Sequence, residues 1–284
     1  MPAFTSSISK LSTGVRGSLR ASRLLSPRRP RPGSVVSCVF SIGERTEQEC
    51  IESIRNQTVP VSRIELVRDV TPISTASNRA LDLARDADLL LWVDADMILS
   101  PGCNEHLCRL MRQDTLYAVS TLMDPVFGKV GYIKLLNMHI VRRLNLRFRD
   151  TLGCDVDFCR QAQELDSSIV VETYTLSRKP LGVHHPTYTA RELFRKNQIE
   201  KKKRGNKLDA ERLSMLVQKH LQSPSPVLLA GILGEILSNP DISQGESEPR
   251  SGLHQWDTLN DLLGNIPEDV AFGFSDSTVR KSRG

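Results

Sequence analysis

Two carboxylates, Asp94 and Asp96, follow directly on the apolar run 89–93, with one residue between them. An apolar run without polar interruption predicts a strand that is buried on both faces. An unpaired ionised carboxylate is costly to take out of water, so both side chains must reach water or a cation. Two carboxylates at the end of a strand suit a hard divalent cation such as Mg²⁺ or Mn²⁺, which prefers oxygen ligands. The alternative is that Asp94 caps the following turn and Asp96 is solvated.

The chain before this pair alternates between strand patterns and helix patterns. The predicted strands are 35–42, 63–70 and 88–93, and the predicted helices between them are 46–57 and 76–87, the second preceded by a turn and cap over 72–75. Strands that alternate with helices predict right-handed crossovers and a mainly parallel α/β sheet with helices on both faces. Ligands bind such sheets at the carboxyl ends of the strands, which is where Asp94 and Asp96 lie.

Local signals indicate the remaining elements. Thr46 and Glu49 match a capping box, and Ser100 followed by Pro101 predicts the start of a helix that ends near residue 113. Further strands are predicted over 116–122, 130–140 and 169–173, and charged helices over 190–222. We expect the strand over 130–140 to pair antiparallel at the edge of the sheet.

Four segments, taken in order, resemble family 2 glycosyltransferases of the GT-A fold. These segments are 41–44, 50–58, 91–96 and 153–158. The resemblance covers roughly 35–186 and implies a Rossmann-like sheet. It also implies transfer of a sugar from a nucleotide-diphospho-sugar donor to a glycan, lipid-linked or small-molecule acceptor, with Mn²⁺ or Mg²⁺ as the cofactor.

The resemblance places the donor on five residues of this sequence. Asp94 would hold the ribose, and Asp69 would accept hydrogen bonds from the nucleotide base. Ser41 and Glu44 would line the same nucleotide pocket. Asn78 lies in the helix position where the family often has an Arg-Asn pair, so it is also placed with the donor.

The resemblance places the metal on Asp96, with Asp94 in the outer shell. His184 or His185 lies where several GT-A enzymes complete the metal shell, and a neutral imidazole is a ligand for Mn²⁺. The alternative is that the two histidines form a structural turn.

The general base that the resemblance implies is Asp155, which would take the proton of the acceptor hydroxyl. Asp157 is the rival base, although an acid in the first turn of a helix also favours the helix dipole. The family usually has an acidic pair at this motif, whereas Cys154 stands in the first place here. One base and one direct displacement would invert the anomeric centre.

Charge and cysteine content restrict the classes of partner. The net charge is +5, but residues 1–33 contain seven basic and no acidic residues, so the remainder is nearly neutral and a nucleic-acid partner is not expected. The six cysteines form no CxxC pair, which favours reduced, buried thiols and a cytoplasmic protein. No transmembrane segment is predicted, while peripheral membrane contact and organelle targeting by the basic arm stay open.

The expected organisation is a disordered basic arm over 1–33, a GT-A domain over 34–190, a charged helical extension over 191–238 and a linker and tail over 239–284. Within the extension, the basic run 201–204 is expected to be a solvated helix face, with contact to a diphosphate as the alternative. Two other functions stay open: a glycosyltransferase-like binding or scaffold domain without turnover, and a nucleotidyltransferase, which also uses paired carboxylates on an α/β sheet.

Overall fold

The structure is a computed structural model that describes residues 33–151, 153–174, 180–185, 187–237 and 270–273. The expected N-terminal arm up to residue 32 lies outside the described residues, as does the expected linker and tail except for 270–273.

The described part of the chain forms ten strands and eight helices. The strands are β1 (Val35–Ser41), β2 (Arg63–Arg68), β3 (Leu89–Asp94), β4 (Met97–Leu99), β5 (Thr115–Asp124), β6 (Gly128–Asn137), β7 (Val170–Tyr174), β8 (Gly182–His184), β9 (Thr187–Thr189) and β10 (Ala271–Gly273). The helices are α1 (Glu47–Arg55), α2 (Ile73–Leu83), α3 (Cys103–Leu110), α4 (Met138–Leu144), α5 (Cys154–Leu165), α6 (Ala190–Lys203), α7 (Ala210–Gln222) and α8 (Pro226–Ile236).

Eight strands form one sheet in the order β2-β1-β3-β6-β5-β8-β4, with β7 also paired to β5. The β1–β2, β1–β3, β5–β7 and β5–β8 pairs are parallel, whereas β3–β6, β5–β6 and β4–β8 are antiparallel. The prediction of an α/β fold with a mainly parallel sheet is therefore confirmed. β9 and β10 form a separate antiparallel pair.

The strand β3 is covered on both faces, as its unbroken apolar sequence predicts. Leu90 belongs to one buried cluster, together with apolar residues of α2, α4 and α5. Leu91 and Val93 belong to a second cluster with residues of α1 and α3. Because side chains alternate along a strand, these two clusters lie on opposite faces of the sheet. Trp92 stacks on Phe40 with 4.3 Å between ring centroids and packs, partly buried, against the first cluster.

The expected position of the strand over 130–140 is wrong. β6 lies inside the sheet, between β3 and β5, and is antiparallel to both. It also ends earlier than expected, because the Asn137 side chain accepts a hydrogen bond from the N–H of His139 and caps α4. The predicted helix start at Ser100 and Pro101 is also displaced, since α3 is preceded by Gly102.

The capping box expected at Thr46 and Glu49 is absent, because the Thr46 side chain caps no helical N–H. Its hydroxyl donates instead to the carbonyl of Ala95, with 2.9 Å between the oxygens. Ala95 lies between the two carboxylates, and its own N–H donates to the carbonyl of Phe40 at 2.8 Å. The loop before α1 therefore holds the turn that follows β3.

The three C-terminal helices build a third buried cluster. It includes Leu193 and Phe194 of α6, Leu216 of α7 and Leu228 of α8, and it reaches the main sheet through Val126 after β5. Charged helices were predicted for the first two elements, and both are present. No helix among the described residues is long and apolar enough to cross a membrane.

Two residues of the basic run 201–204 are not a solvated helix face, which corrects the expectation. Lys201 is buried, and its Nζ donates to the carbonyl of Ile236 at 2.7 Å and to that of Leu237 at 3.4 Å. Arg204 donates to the buried carboxylate of Glu235 at 2.7 Å. Carbonyls at the end of a helix lack partners within the helix, so these cations satisfy and neutralise the end of α8.

Candidate metal centre and active site

Polar side chains gather where five strands that run in the same direction end. Since β3 and β5 are both antiparallel to β6, they run the same way, and β1, β2 and β8 share that direction. Their ends carry or precede Ser41, Asp69, Asp94, Asp124 and His184. Four of these five residues were predicted for the site, and the topology places them at one edge of the sheet.

Asp96, His184 and His185 form a cluster that could hold a metal ion. One ligand atom from each residue lies within 4.8 Å of the others. Asp96 Oδ2 lies 2.6 Å from His185 Nε2 and 3.5 Å from His184 Nε2. The antiparallel pairing of Met97 with His184 in β4 and β8 brings these distant parts of the sequence together. One carboxylate and two imidazoles are a ligand set that suits Mn²⁺ and other first-row divalent ions.

The environment of Asp96 suits a cationic partner. Its Oδ1 is buried and has no hydrogen-bond partner among the residues that the structure describes. A buried unpaired carboxylate oxygen is unfavourable, and a cation would satisfy it. Burial by itself would raise the pKa of Asp96, but the hydrogen bond with His185 and the charge of His184 lower it. The residues present therefore fit a divalent cation.

Asp94 differs from Asp96 in its electrostatics. Burial raises the pKa of Asp94 to about 6, and repulsion by the charge of Asp96 contributes to the rise. The backbone carbonyl of Asp94 accepts a weak hydrogen bond from the Cys50 thiol, with 3.7 Å between sulfur and oxygen. A cation next to both carboxylates would favour the ionised form of each.

The conformation of His185 is unusual for a residue with a side chain. Its φ angle is +46°, in the left-handed region. Its N–H donates to the carbonyl of Asp96 at 2.8 Å, and its ring stacks on Tyr188 with 4.6 Å between centroids. These contacts hold the imidazole against the carboxylate. The hypothesis that the histidines form a turn and the hypothesis that they are ligands are thus compatible.

Asp124 lies behind His184 and was not among the predicted residues. Its carboxylate is buried, and Oδ2 lies 3.3 Å from His184 Nδ1. Oδ2 also accepts from the Tyr188 hydroxyl at 2.6 Å and lies 3.5 Å from Lys196 Nζ. Burial would raise the pKa of Asp124, but the hydrogen bond with His184 and the charge of Lys196 lower it to about 2.

Asp155, the predicted base, lies in the first turn of α5 with a half-exposed side chain. Its Oδ2 lies 3.2 Å from Lys134 Nζ, and its Oδ1 accepts from the N–H of Val156. Burial would raise the pKa of Asp155, but the charge and hydrogen bond of Lys134 lower it. The charge of Lys134 also opposes part of the rise in the pKa of Asp94, so this lysine acts on both the base candidate and the carboxylate pair.

Asp157, the rival base, is engaged in contacts within its own helix. It is only 5% exposed, it pairs with Arg160, and it accepts from Gln161 Nε2 at 2.8 Å. Hydrogen bonding from Arg160 lowers its pKa. These contacts favour a structural role for Asp157 and leave Asp155 as the accessible carboxylate.

Three of the donor-binding candidates, Ser41, Glu44 and Asp69, lie at or just after the ends of β1 and β2 and are close together. The Ser41 hydroxyl donates to Glu44 Oε2 at 3.0 Å, and the N–H of Ile42 donates to the same oxygen at 2.7 Å. Asp69 is exposed beside this loop, and its N–H donates to the carbonyl of Ser41 at 2.9 Å. The three residues therefore belong to one corner of the strand edge.

Asn78 is committed to the fold. Its Nδ2 donates to the carbonyl of Phe148 at 2.8 Å, and its Oδ1 accepts from the N–H of the same residue at 2.9 Å. Both polar atoms of the amide are used, so Asn78 ties α2 to the chain before α5. We therefore leave Asn78 out of the donor site.

In comparisons with known proteins, this chain is similar to several solved structures of glycosyltransferases. The chain is 13% identical to the mannosyltransferase PcManGT from Pyrobaculum calidifontis in complex with GDP-Man and Mn²⁺, with 73% of this chain and 71% of that chain covered and a TM-score of 0.43. It is 11% identical to S. aureus TarS, with 84% and 50% covered and a TM-score of 0.38. For S. aureus TarS 1-349 in complex with UDP-GlcNAc, the identity is 13%, the coverage 84% and 82%, and the TM-score 0.35. No family model and no curated protein matches the sequence.

Three residues of the site escaped the sequence analysis for different reasons. Asp124 lies two residues beyond the predicted strand over 116–122 and ends the observed β5, as Asp94 ends β3, so a strand-end argument with a longer strand could have found it. Tyr188 and Lys196 belong to β9 and α6, and no local signal connects those elements to the sheet edge. Only the packing of the C-terminal helices brings them to Asp124.

Proposed function

We propose that this chain is a metal-dependent glycosyltransferase that moves a sugar from a nucleotide-diphospho-sugar donor to a hydroxyl of a glycan, lipid-linked or small-molecule acceptor. The observation that carries the proposal is the cluster of Asp96, His184 and His185, whose ligand atoms lie within 4.8 Å of one another at the carboxyl edge of the sheet. The sequence resemblance supplies the reaction class, and this cluster supplies the site at which such a reaction needs a cation.

Asp96, His184 and His185 would hold Mn²⁺ or Mg²⁺. A bound divalent cation supplies stabilisation of the negative charge that develops on a departing nucleoside diphosphate. Oδ1 of Asp96, which has no partner in the described part of the chain, supports this assignment, since a buried carboxylate oxygen needs a positive or hydrogen-bonding partner. Asp94, on the same turn, would orient the donor.

The nucleotide would lie over the corner formed by Ser41, Glu44 and Asp69. The exposed carboxylate of Asp69 can accept hydrogen bonds from the base, since an ionised carboxylate is only an acceptor. Glu44 already accepts from Ser41 and Ile42, so it holds the loop and shapes the pocket.

Asp155 would act as the general base. A sugar hydroxyl is a poor nucleophile at neutral pH, and a positioned carboxylate that takes its proton contributes roughly 10²–10⁴-fold. The half-exposed side chain of Asp155 can reach an acceptor, whereas Asp157 is held by Arg160 and Gln161. With one base and direct displacement, the anomeric configuration inverts.

A donor-binding module without transfer is the second candidate, and one observation favours it. Lys134 lies 3.2 Å from Asp155 and lowers the pKa of that carboxyl. A carboxylate with a lower pKa is a weaker base. In this alternative the metal centre binds donor, but the carboxylate that should take the acceptor proton remains paired with lysine.

Donor binding and hydrolysis test the two candidates together. We would measure Mn²⁺-dependent binding and hydrolysis of UDP-, GDP- and dTDP-sugars by the wild type, by Asp96→Asn and by the control Asp166→Asn. The control makes the same chemical change away from the candidate site, at a carboxylate that pairs with Arg143 at 2.8 Å.

The transferase hypothesis expects turnover of at least one donor, its loss in Asp96→Asn and its retention in Asp166→Asn. Donor binding without turnover, even after acceptors are added, would favour the binding module. A wild type that binds no nucleoside diphosphate in the presence of Mn²⁺ would contradict both candidates.

A further inference from the structure

The ring of His184 lies between two carboxylates. Its Nε2 lies 3.5 Å from Asp96 Oδ2, on the side of the proposed metal, and its Nδ1 lies 3.3 Å from Asp124 Oδ2, on the side of the protein interior. A neutral imidazole carries one proton, so one nitrogen donates and the other accepts. If Nδ1 donates its proton to Asp124, then Nε2 faces the side of the metal with a free lone pair.

Backbone donors hold Asp124 rigidly. Its Oδ1 accepts from the N–H of Val126 at 2.8 Å and from the N–H of Phe127 at 2.9 Å. The residue is 1% exposed, so no bulk water competes for its oxygens. Because these two hydrogen bonds fix the orientation of the carboxylate, they also fix the position of Oδ2.

The C-terminal segment completes the surroundings of Oδ2. The Tyr188 hydroxyl of β9 donates to it at 2.6 Å, and Lys196 of α6 contacts both this oxygen and the Tyr188 hydroxyl. Lys196 also brings its ammonium group to 3.5 Å from this buried carboxylate, and a positive charge at that distance favours the ionised form. An ionised carboxylate can only accept, so His184 Nδ1 must carry the proton.

We propose that Asp124 is a positioning residue of the metal centre: it holds His184 with the proton on Nδ1 and with Nε2 directed at the metal beside Asp96. This inference rests on the proposed function, because it presupposes that the cluster binds a divalent cation. A carboxylate behind a ligating histidine fixes the tautomer and ring orientation and raises the basicity of the ligand. Through Tyr188 and Lys196, the C-terminal helical segment contributes to metal affinity without touching the metal.

Mn²⁺ affinity and the tautomer of His184 test the inference. Mn²⁺ binding to the full chain would be measured by the loss of the free-ion EPR signal for the wild type, Asp124→Asn and Asp166→Asn. We expect Asp124→Asn to weaken Mn²⁺ binding roughly 10–100-fold, the usual effect of losing such a partner, and Asp166→Asn to leave it unchanged. An amide in place of Asp124 cannot accept on both sides at once.

The tautomer is measured on the metal-free protein. Long-range ¹H–¹⁵N NMR of ¹⁵N-histidine protein, with His184→Gln used to assign the signals, identifies the protonated nitrogen at a pH where the shifts no longer change. We expect a proton on Nδ1 of His184 in the wild type and a changed pattern in Asp124→Asn. This readout distinguishes positioning from a general loss of structure.

The outcomes separate the two proposals. A wild type without Mn²⁺ affinity overturns the proposed function, and the metal-free spectrum alone then decides whether Asp124 holds His184. A folded Asp124→Asn with unchanged Mn²⁺ affinity, or a wild-type His184 protonated on Nε2 and not on Nδ1, overturns the inference. If Asp124→Asn does not fold, the wild-type spectrum still decides.

Discussion

His185 is joined to Asp96 twice: its Nε2 lies 2.6 Å from the carboxylate, and its backbone N–H donates to the carbonyl of the same residue at 2.8 Å. The side-chain contact and the backbone contact therefore depend on the same pairing of β4 with β8. A shift of that pairing by one residue would separate both at once, since alternate residues point to opposite faces. The geometry of the metal cluster therefore depends on the register between two three-residue strands, β4 and β8.

The left-handed backbone of His185 predicts a difference between two substitutions that both remove the imidazole. Its φ of +46° is accessible to glycine at no steric cost, whereas alanine is strained there. We expect His185→Gly to be more stable than His185→Ala by about 1 kcal/mol, with Mn²⁺ affinity lowered equally in both. Urea unfolding and Mn²⁺ titration measure the two quantities. Equal stabilities would mean that the left-handed conformation does not persist in the variants.

Asp155 and Asp157 are predicted to separate chemistry from stability. Asp155→Asn should retain donor affinity and lose transfer by roughly 10²–10⁴-fold, because the acceptor proton then has no base. Asp157→Asn should retain transfer and unfold at a lower temperature, because it loses the charge that pairs with Arg160. Donor titration, initial transfer rates and thermal unfolding of both variants check this. Loss of transfer in Asp157→Asn, with transfer retained in Asp155→Asn, would instead identify Asp157 as the base.

Lys134 predicts a shift in the pH profile of transfer. Lys134 lowers the pKa of Asp155, so it keeps the carboxylate ionised at a lower pH than usual. Lys134→Met removes that effect, the pKa of Asp155 rises, and the acid limb of kcat/KM should move to higher pH. Lys134→Arg retains the charge and serves as the control. An acid limb that stays in place in Lys134→Met would show that another group controls it.

Lys201 predicts a loss of stability rather than of chemistry. Its Nζ satisfies the carbonyls of Ile236 and Leu237, and a hydrogen bond from a charged group contributes about 1.5–3 kcal/mol. Lys201→Met should therefore lower the free energy of unfolding by about that amount. Lys207, which is exposed in the loop before α7, provides the matched control Lys207→Met. Equal unfolding midpoints for the two variants would remove Lys201 from the cap of α8.

Much of the fold follows from local patterns. The first five elements, β1 to β3 with α1 and α2 between them, lie close to where apolar runs and helical spacing predict them, because those patterns depend on neighbours within one element. The strand end at Asp94 was likewise visible, since a carboxylate cannot continue a strand buried on both faces. By contrast, Thr46 matches a helix-cap pattern, but its hydroxyl donates to the carbonyl of Ala95. These two residues are 49 positions apart, so no local pattern predicts the contact.

The sequence by itself determined the types and order of the first five elements and the presence of two carboxylates at the end of a buried strand, because periodicity and charge are local properties. Only the tertiary structure decided that β6 enters the middle of the sheet and that β4 pairs with β8, which brings His184 and His185 to Asp96. It also decided that Lys196, on a helix with no local sign of function, lies beside Asp124. The physical reason is that strand pairing and helix packing are selected by contacts between residues far apart in sequence, for which no short pattern exists.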